Sequence, residues 1–282
     1  MHLFKLSKDL QEFIQKKKAE GKKIGFVPTM GALHSGHLSL IAEAKEESDL
    51  VVCSIFVNPT QFNDKKDLEK YPRPIEHDMQ LLLECDCDVL FLPSENEMYP
   101  EGTAHLKYYD LGYLDKVLEA AFRPGHFQGV ANIVFRLLNS VNPDFLLLGK
   151  KDFQQVLVIK RMIEIENLPV KIMSVKTLRE SSGLAMSSRN VRLSEKAWDN
   201  ASKISAILFS IRDLKNNFNS ISVMRKEAVK QLKEIPDSIL EYFDICDAET
   251  LVPLTIFIKE KPAVMVVAIW IDGVRLIDNV EL

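Results

Sequence analysis

Two loops concentrate side chains able to handle phosphate and protons. The first is Pro28-Thr29-Met30-Gly31-Ala32-Leu33-His34-Ser35-Gly36-His37. His34 and His37 can each donate a hydrogen bond to a phosphate oxygen and carry a proton near neutral pH. Gly31 and Gly36 let the backbone come close to a ligand. The segment lacks the Gly-Lys-Ser/Thr ending of a Walker A loop and is not a G-x-G-x-x-G fingerprint. Its alternatives are two surface histidines or half of a zinc site, which would need further ligands from elsewhere in the chain. The second loop is Thr177-Leu178-Arg179-Glu180-Ser181-Ser182-Gly183-Leu184-Ala185-Met186-Ser187-Ser188-Arg189-Asn190. It reads as a mobile, hydroxyl-rich segment whose serines and arginine could clamp a triphosphate and its pyrophosphate product. The alternative is a solvated linker between domains.

The elements that must position these loops alternate. Leu10, Phe13 and Ile14 mark one face of a first helix, with Ser7 as its expected cap and Gly21 at its end. Strands are expected at Ile24–Val27, Leu50–Val57, Asp88–Leu92, Phe145–Leu148 and Val170–Val175. Helices are expected at His37–Glu47, Ile75–Glu84, Val130–Val141 and Phe153–Ile165. The near-continuous apolar run from Leu50 suits a parallel strand covered on both faces. Parallel strands need crossovers, so the pattern predicts an α/β fold with a Rossmann-like, doubly wound parallel sheet. In such a sheet ligands bind at the carboxyl ends of strands, and the first loop follows a strand and precedes a helix. Amides at that helix start favour an anion. Tyr99–Phe122 gives no clear periodicity.

Composition shifts near residue 180. Every glycine but Gly273 lies at or before Gly183, and every histidine at or before His126, so the chemistry is expected in the first part. Beyond Ser194 the pattern gives helices over Glu195–Leu214 and Val223–Lys233. Strands follow near Tyr242–Cys246, Val264–Ile271 and Val274–Ile277, a smaller α+β unit. The expected domains are 1–180 and 181–282, in line with about two domains for 282 residues.

With 46% hydrophobic and 27% charged residues the chain is globular, and its formal charge of -4, with neither part basic, argues against a nucleic-acid-binding face. The longest apolar run, Ala263–Ile271, is less than half of the about twenty residues a membrane helix needs, and the N-terminus has no apolar stretch typical of a signal peptide. The 4 cysteines form no C-x-x-C pair and no disulfide framework, which fits a reducing, cytoplasmic setting. Cys85-Asp86-Cys87 reads as the close of an apolar helix before a strand rather than as a metal or redox pair.

At the two loops the resemblance becomes specific. His34-Ser35-Gly36-His37 is similar to the H-x-G-H signature of the nucleotidyltransferase superfamily, and Met186-Ser187-Ser188-Arg189 to a shortened K-M-S-K-S loop. More narrowly, the chain resembles the pantoate–β-alanine ligases. The matching segments include Pro28 through His37, Val57-Asn58-Pro59-Thr60-Gln61-Phe62, Tyr71-Pro72-Arg73 and Met98-Tyr99-Pro100. Further on come Arg123-Pro124-Gly125-His126-Phe127, Gly149 with Lys151-Asp152, Gln154-Gln155, and Gly183 through Asn190. They run in family order. Lys150 stands where the family has an acidic residue or Gln, Ser182 where it has Asp, and Asn132 where it often has Thr.

The resemblance implies an enzyme that makes pantothenate from pantoate, β-alanine and ATP through pantoyl adenylate, releasing pyrophosphate and AMP. It implies that His34, His37, Lys151 and Arg189 are catalytic, with His37 the better proton donor. Met30, Gly31, Ala32, Leu33, His34, Ser35, Gly36 and His37 would cradle ATP. Gly149, Lys150, Lys151, Asp152, Leu178, Met186, Ser187, Ser188 and Arg189 would complete that site. Gln61 and Gln155 would bind pantoate, and Gln61 would also face β-alanine. A carboxamide suits pantoate because it can donate to one oxygen and accept from another; read without the family, Gln61 is a turn residue after Asn58-Pro59. Magnesium is expected on the phosphates with no protein cage and no metal-ligating residues. A homodimer is expected, with no nucleic-acid or membrane partner. The smaller domain is expected to close over the ATP site. Arg123–Phe127 is left open between an anion site and a structural turn, and His126 is kept outside the site. Two competing readings are an adenylyltransferase that stops at nucleotidyl transfer and a nucleotide-binding regulator.

Overall fold

A computed structural model describes residues 1–63, 65–258 and 260–282. The chain divides into two compact units, one of Met1–Lys150 with Gln155–Lys176 and the other of Lys151–Gln154 with Thr177–Leu282.

The first unit runs through β1 (His2–Phe4), α1 (Ser7–Ala19), β2 (Ile24–Thr29), α2 (Ser35–Glu47) and β3 (Leu50–Ile55). Then come α3 (Lys65–Lys70), α4 (Ile75–Glu84), β4 (Val89–Phe91), and the short α5 (Glu95–Met98) and α6 (Glu119–Phe122). It ends with α7 (His126–Val141), β5 (Phe145–Gly149), α8 (Phe153–Glu166) and β6 (Lys171–Val175). The described strands form one parallel sheet in the order β1-β4-β3-β2-β5-β6. The direction of winding reverses between β2 and β5, so the crevice beyond their carboxyl ends is the position where doubly wound sheets take ligands.

Side-chain alternation builds two cores. Phe26, Val52, Val89, Phe91 and Leu146 turn to one face, where Leu10 and Ile14 of α1, Val130 and Val134 of α7, and Val158 and Met162 of α8 cover them. Val27, Val51, Cys53, Leu90 and Leu147 turn to the other, under Leu40, Ile41 and Ala44 of α2 and Leu82 of α4. Every residue of β3 is buried, as a strand covered on both faces requires.

Three expectations change. β1 was not foreseen: it is three residues long, largely exposed, and pairs with β4 at the sheet edge. Ser7 does not cap α1; Leu6 holds the cap position, and the Ser7 N–H donates to Glu97 Oε1 at 2.8 Å. α7 begins at His126, four residues before Val130, because Gly125 takes the left-handed conformation (φ 79°) that turns the chain into the helix. Part of the irregular stretch from Tyr99 to Phe122 is tied to α7 by two side-chain amides that copy backbone pairing. Asn132 accepts the Lys107 N–H at 3.1 Å and donates to the Lys107 carbonyl at 2.8 Å, and Gln128 does the same for Tyr109 at 3.0 and 2.9 Å.

The second unit contains α9 (Glu195–Asp213), α10 (Ile221–Lys233), β7 (Ser238–Asp247), β8 (Ala263–Ile271) and β9 (Val274–Glu281). Its strands form an antiparallel sheet in the order β7-β8-β9. Ile204 and Leu208 of α9 and Met224 and Leu232 of α10 pack with Ile245, Met265, Val267 and Ile269 of the sheet.

Candidate active site

The first loop is held through its backbone amides, by the side chains of Thr29 and Asp78. Thr29 Oγ1 donates to the Ser54 carbonyl at 2.7 Å and accepts the Gly31 N–H at 3.1 Å. Asp78, 1% exposed on α4, accepts the Ala32 N–H at 2.9 Å on one carboxylate oxygen and the Leu33 N–H at 2.7 Å on the other. Gly31 is required at its place: its φ is +79°, and a Cβ there would lie 2.9 Å from Asp78 Oδ2 and 3.0 Å from Ile55 Cγ2. Sequence reasoning missed Asp78. The available signal was an acid on the apolar face of a helix, between Ile75, Met79 and Leu82.

His34 is the N-cap of α2, and its Nδ1 accepts the Gly36 N–H at 3.1 Å. The neutral imidazole therefore carries its proton on Nε2. The His37 ring lies with its centroid 4.1 Å from that of His34, tilted by 40°. The amides of Gly31, Ala32, Leu33 and Gly36 thus all have acceptors within the loop or on α4. The loop is preorganised, and these amides serve its shape.

Beyond β3 the chain turns through Asn58 and Pro59 into a short 3-10 turn, Pro59–Gln61. Gln61 is 8% exposed, and its Nε2 meets Met30 Sδ at 3.1 Å, which joins this turn to the first loop. Asn58 Nδ2 donates to Gln61 Oε1 at 3.0 Å and to the Gly129 carbonyl at 3.2 Å. The Arg123–Phe127 segment is connected here as well. His126 Nδ1 lies 2.7 Å from the Gln61 carbonyl oxygen, and an Arg123 guanidinium nitrogen donates to the same oxygen at 3.3 Å. The segment is therefore both the turn that starts α7 and a clamp on the Gln61 backbone, and His126, kept outside the site by sequence reasoning, touches a candidate site residue. Gly129 permits the approach of α7: a Cβ there would sit 2.4 Å from the Thr60 carbonyl oxygen.

Gly149 closes β5, and the half-buried Lys150 follows it. Gln155 is half-buried in the first turn of α8.

The other candidates belong to the second unit. Lys151 has its carbonyl held by Asn279 Nδ2 at 2.9 Å and its Nζ 3.7 Å from Asp152 Oδ1. The stem of the second loop is pinned rather than mobile. Arg179 makes a two-pronged ion pair with the buried Asp278 at 2.7 and 2.9 Å and donates to the carbonyls of Gly183 and Asn279. The Glu180 N–H donates to the Leu184 carbonyl at 2.9 Å, and the Met186 N–H to the Leu178 carbonyl at 3.1 Å. Gly183 has φ +89°, and a Cβ would meet Ser205 Oγ at 2.8 Å. Asn190, 3% exposed, donates to the Ala185 carbonyl at 3.0 Å and closes the loop. Leu178 is exposed, whereas Met186, Ser187, Ser188 and Arg189 are half-buried on this frame.

Among the described residues no group of three or more His, Cys, Asp or Glu side chains converges on a metal position, and no helix is long and apolar enough to cross a membrane. Cys85 ends α4 and Cys87 precedes β4. Burial pushes the Cys87 thiol up to about 12, so it stays protonated and unreactive.

Comparison with known proteins agrees with this architecture. The profile of the pantoate-beta-alanine ligase family matches residues 2–281. A pantothenate synthetase of Porphyromonas gingivalis is 44% identical over 281 residues, covering 100% of this chain and 99% of the relative. The crystal structure of the pantothenate synthetase from Thermus thermophilus superposes with a TM-score of 0.91 at 39% identity, covering 99% of both chains. The pantoate-beta-alanine ligase from Francisella tularensis, solved in complex with beta-gamma ATP and beta-alanine, gives a TM-score of 0.81 at 36% identity, covering 99% of this chain and 97% of that one. From the preorganised histidine loop at the carboxyl end of β2 to the full-length agreement in sequence and fold, the chain belongs to the pantoate–β-alanine ligase family.

Proposed function

We infer that the chain condenses pantoate with β-alanine at the expense of ATP to give pantothenate, pyrophosphate and AMP. The observation that carries the reading is the family match along residues 2–281, with His34 and His37 held at the switch point of the parallel sheet. The Francisella relative in complex with beta-gamma ATP and beta-alanine supports the nucleotide and the amine.

A carboxylate is a poor acyl donor toward an amine, so the acid must first be activated. A pantoate carboxylate oxygen attacks the α-phosphorus of ATP, the bond from that phosphorus to the bridging oxygen breaks, and pyrophosphate leaves. The β-alanine nitrogen then attacks the acyl carbon, the bond from that carbon to the AMP oxygen breaks, the new amide sheds a proton, and AMP leaves. Positioning and charge stabilisation are the protein's task. His34 and His37 donate hydrogen bonds to the phosphates as charge builds, the former through Nε2, with His37 as the proton donor. Met30 through His37 borders the nucleotide. Gly149, Lys150, Asp152 and Leu178 line the adenosine, and Lys151 neutralises the β- and γ-phosphates. Met186, Ser187, Ser188 and Arg189 hold the triphosphate and the departing pyrophosphate. Gln61 and Gln155 bind pantoate, and Gln61 also faces β-alanine.

Magnesium, which would neutralise phosphate charge, is carried by the nucleotide and water in this reading, in keeping with a site of imidazoles, carboxamides, two lysines and an arginine rather than clustered carboxylates. The working division is residues 1–180 for nucleotide and pantoate and 181–282 for the smaller domain, while Lys151–Gln154 and residues 177–180 cluster with the second compact unit. Family membership supports a homodimer acting in the cytoplasm; sedimentation tests the dimer.

Purified protein with ATP and magnesium, given pantoate and β-alanine singly and together, tests the reaction. AMP and pantothenate should appear together only when both acid and amine are present. Pyrophosphate with neither product, or no turnover, would contradict it.

A further inference from the structure

The Asn58 amide lies between two backbone groups whose hydrogen-bonding sense is fixed. The Thr60 N–H can only donate, and it faces Oδ1 at 3.4 Å. The Gly129 carbonyl can only accept, and it faces Nδ2 at 3.2 Å. Oxygen and nitrogen of Asn58 are therefore assigned without ambiguity. Its second N–H donates to Gln61 Oε1 at 3.0 Å, and this fixes the Gln61 carboxamide in turn. Oε1 is turned inward to Asn58, and Nε2 is turned the other way, toward Met30 Sδ at 3.1 Å. A thioether is a weak acceptor, readily replaced by a substrate oxygen.

Tyr99 completes the set. It is 3% exposed, and its hydroxyl lies 2.7 Å from Asn58 Oδ1, where it must be the donor. The Thr60 hydroxyl is 3.2 Å from the same phenol oxygen, and the Arg136 guanidinium sits 5.1 Å from the ring centroid. Tyr99 and Asn58 thus lie in one chain of hydrogen bonds that ends on Gln61 and runs in a single sense.

We propose that Tyr99 is a positioning residue that acts through Asn58 to hold Gln61 with its carboxamide N–H groups toward the acid substrate, so that Gln61 meets that substrate as a donor alone. The proposal rests on the placement of pantoate at Gln61. It revises the expectation that Gln61 both donates and accepts: the group it faces must offer a lone pair, as a carboxylate or hydroxyl oxygen does.

The test is a double-mutant cycle of Tyr99→Phe and Gln61→Ala, read as the KM for pantoate, the KM for ATP and kcat. Wild-type turnover with both substrates checks the functional reading separately. With that turnover present, Tyr99→Phe should raise the pantoate KM about 3- to 10-fold, the factor that one hydrogen bond carries, and leave the ATP KM unchanged. In the Gln61→Ala background it should add nothing. An equal penalty in both backgrounds, an equal rise in both KM values, or a Gln61→Ala enzyme with wild-type pantoate KM would overturn the proposal. Should Tyr99→Phe fail to fold, Asn58→Asp gives a second reading. It removes both N–H donors and sets a carboxylate against Gln61 Oε1, so the pantoate KM should rise at least about 10-fold, and this penalty should vanish when Gln61 is Ala. Persistence of the penalty would overturn the proposal.

Discussion

Asp78 Oδ1 accepts the backbone N–H of Leu33 at 2.7 Å across 45 positions of sequence. Its other oxygen takes the Ala32 N–H at 2.9 Å, so a single buried carboxylate on α4 holds the turn that delivers His34 and His37. Replacing it by Asn puts an NH2 group against one of these N–H donors. Hydrogen bonds to a charged acceptor contribute about 1.5–3 kcal/mol each. Asp78→Asn should therefore lower kcat/KM for ATP by roughly 10- to 150-fold, as steady-state kinetics would show; wild-type kcat/KM would mean that the loop keeps its shape without this carboxylate.

His37→Ala should lower kcat by roughly 10²–10³-fold, as loss of one charge-stabilising donor does. Pre-steady-state release of pyrophosphate should slow by the same factor, because the role assigned to His37 lies in adenylate formation. A normal pyrophosphate burst with slow product formation would place His37 in the second half-reaction instead.

Gly129→Ala would drive a Cβ to 2.4 Å from the Thr60 carbonyl oxygen, 2.6 Å from its carbon and 2.9 Å from the Gln61 nitrogen. All are backbone atoms, so relief requires α7 and the Asn58–Gln61 turn to separate. Overpacking of this kind costs about 1–3 kcal/mol. The expected result is a lower Tm together with a raised pantoate KM, since the separation also breaks the Asn58 bond to Gly129. A wild-type Tm would show that the helix yields freely.

The turn that leaves β7 gives a pH dependence of stability. Partial burial acts to raise the Asp247 carboxyl, but hydrogen bonds from the Glu249 N–H, the Thr250 hydroxyl and the Thr250 N–H, with the Lys261 charge, hold it below the ordinary carboxylate value. All three bonds fall on one oxygen at 2.9 Å. A carboxylate depressed on folding contributes stability that is complete above its unfolded value, roughly 3.9, and is lost as pH falls through its folded value. Asp247→Asn keeps an acceptor oxygen and removes the charge. The wild type should thus have the higher Tm at pH 7, and the gap should close as pH falls through the lowered folded value of Asp247. A gap that widens on acidification would contradict this sign.

Much of the fold is legible in sequence because parallel strands covered on both faces leave unbroken apolar runs, as Leu50–Ile55 does, while helices of three turns or more leave a face such as Leu10 and Ile14. β1 is not legible: three residues at a sheet edge, mostly exposed, leave no periodicity to read. The site divides similarly. His34 and His37 stand where a strand passes into a helix, and their types suggest chemistry there, whereas Gln61 is picked out only by the family resemblance. Asp78, Tyr99, Gly129 and His126 act on the histidine loop and the Gln61 turn from distant parts of the chain, through contacts that only folding creates. Side chains that organise a site through backbone amides and carbonyls leave a weak trace in sequence, because their partners are groups that every residue carries.

The central claim is that the acid is activated at the α-phosphorus. Pantoate labelled with ¹⁸O in its carboxylate, supplied with ATP and β-alanine, tests it most directly by mass spectrometry of the products. Attack on the α-phosphorus leaves one labelled oxygen in AMP and one in the amide carbonyl of pantothenate, with pyrophosphate unlabelled. Label in inorganic phosphate, with ADP as the nucleotide product, would show activation at the γ-phosphorus and contradict the account.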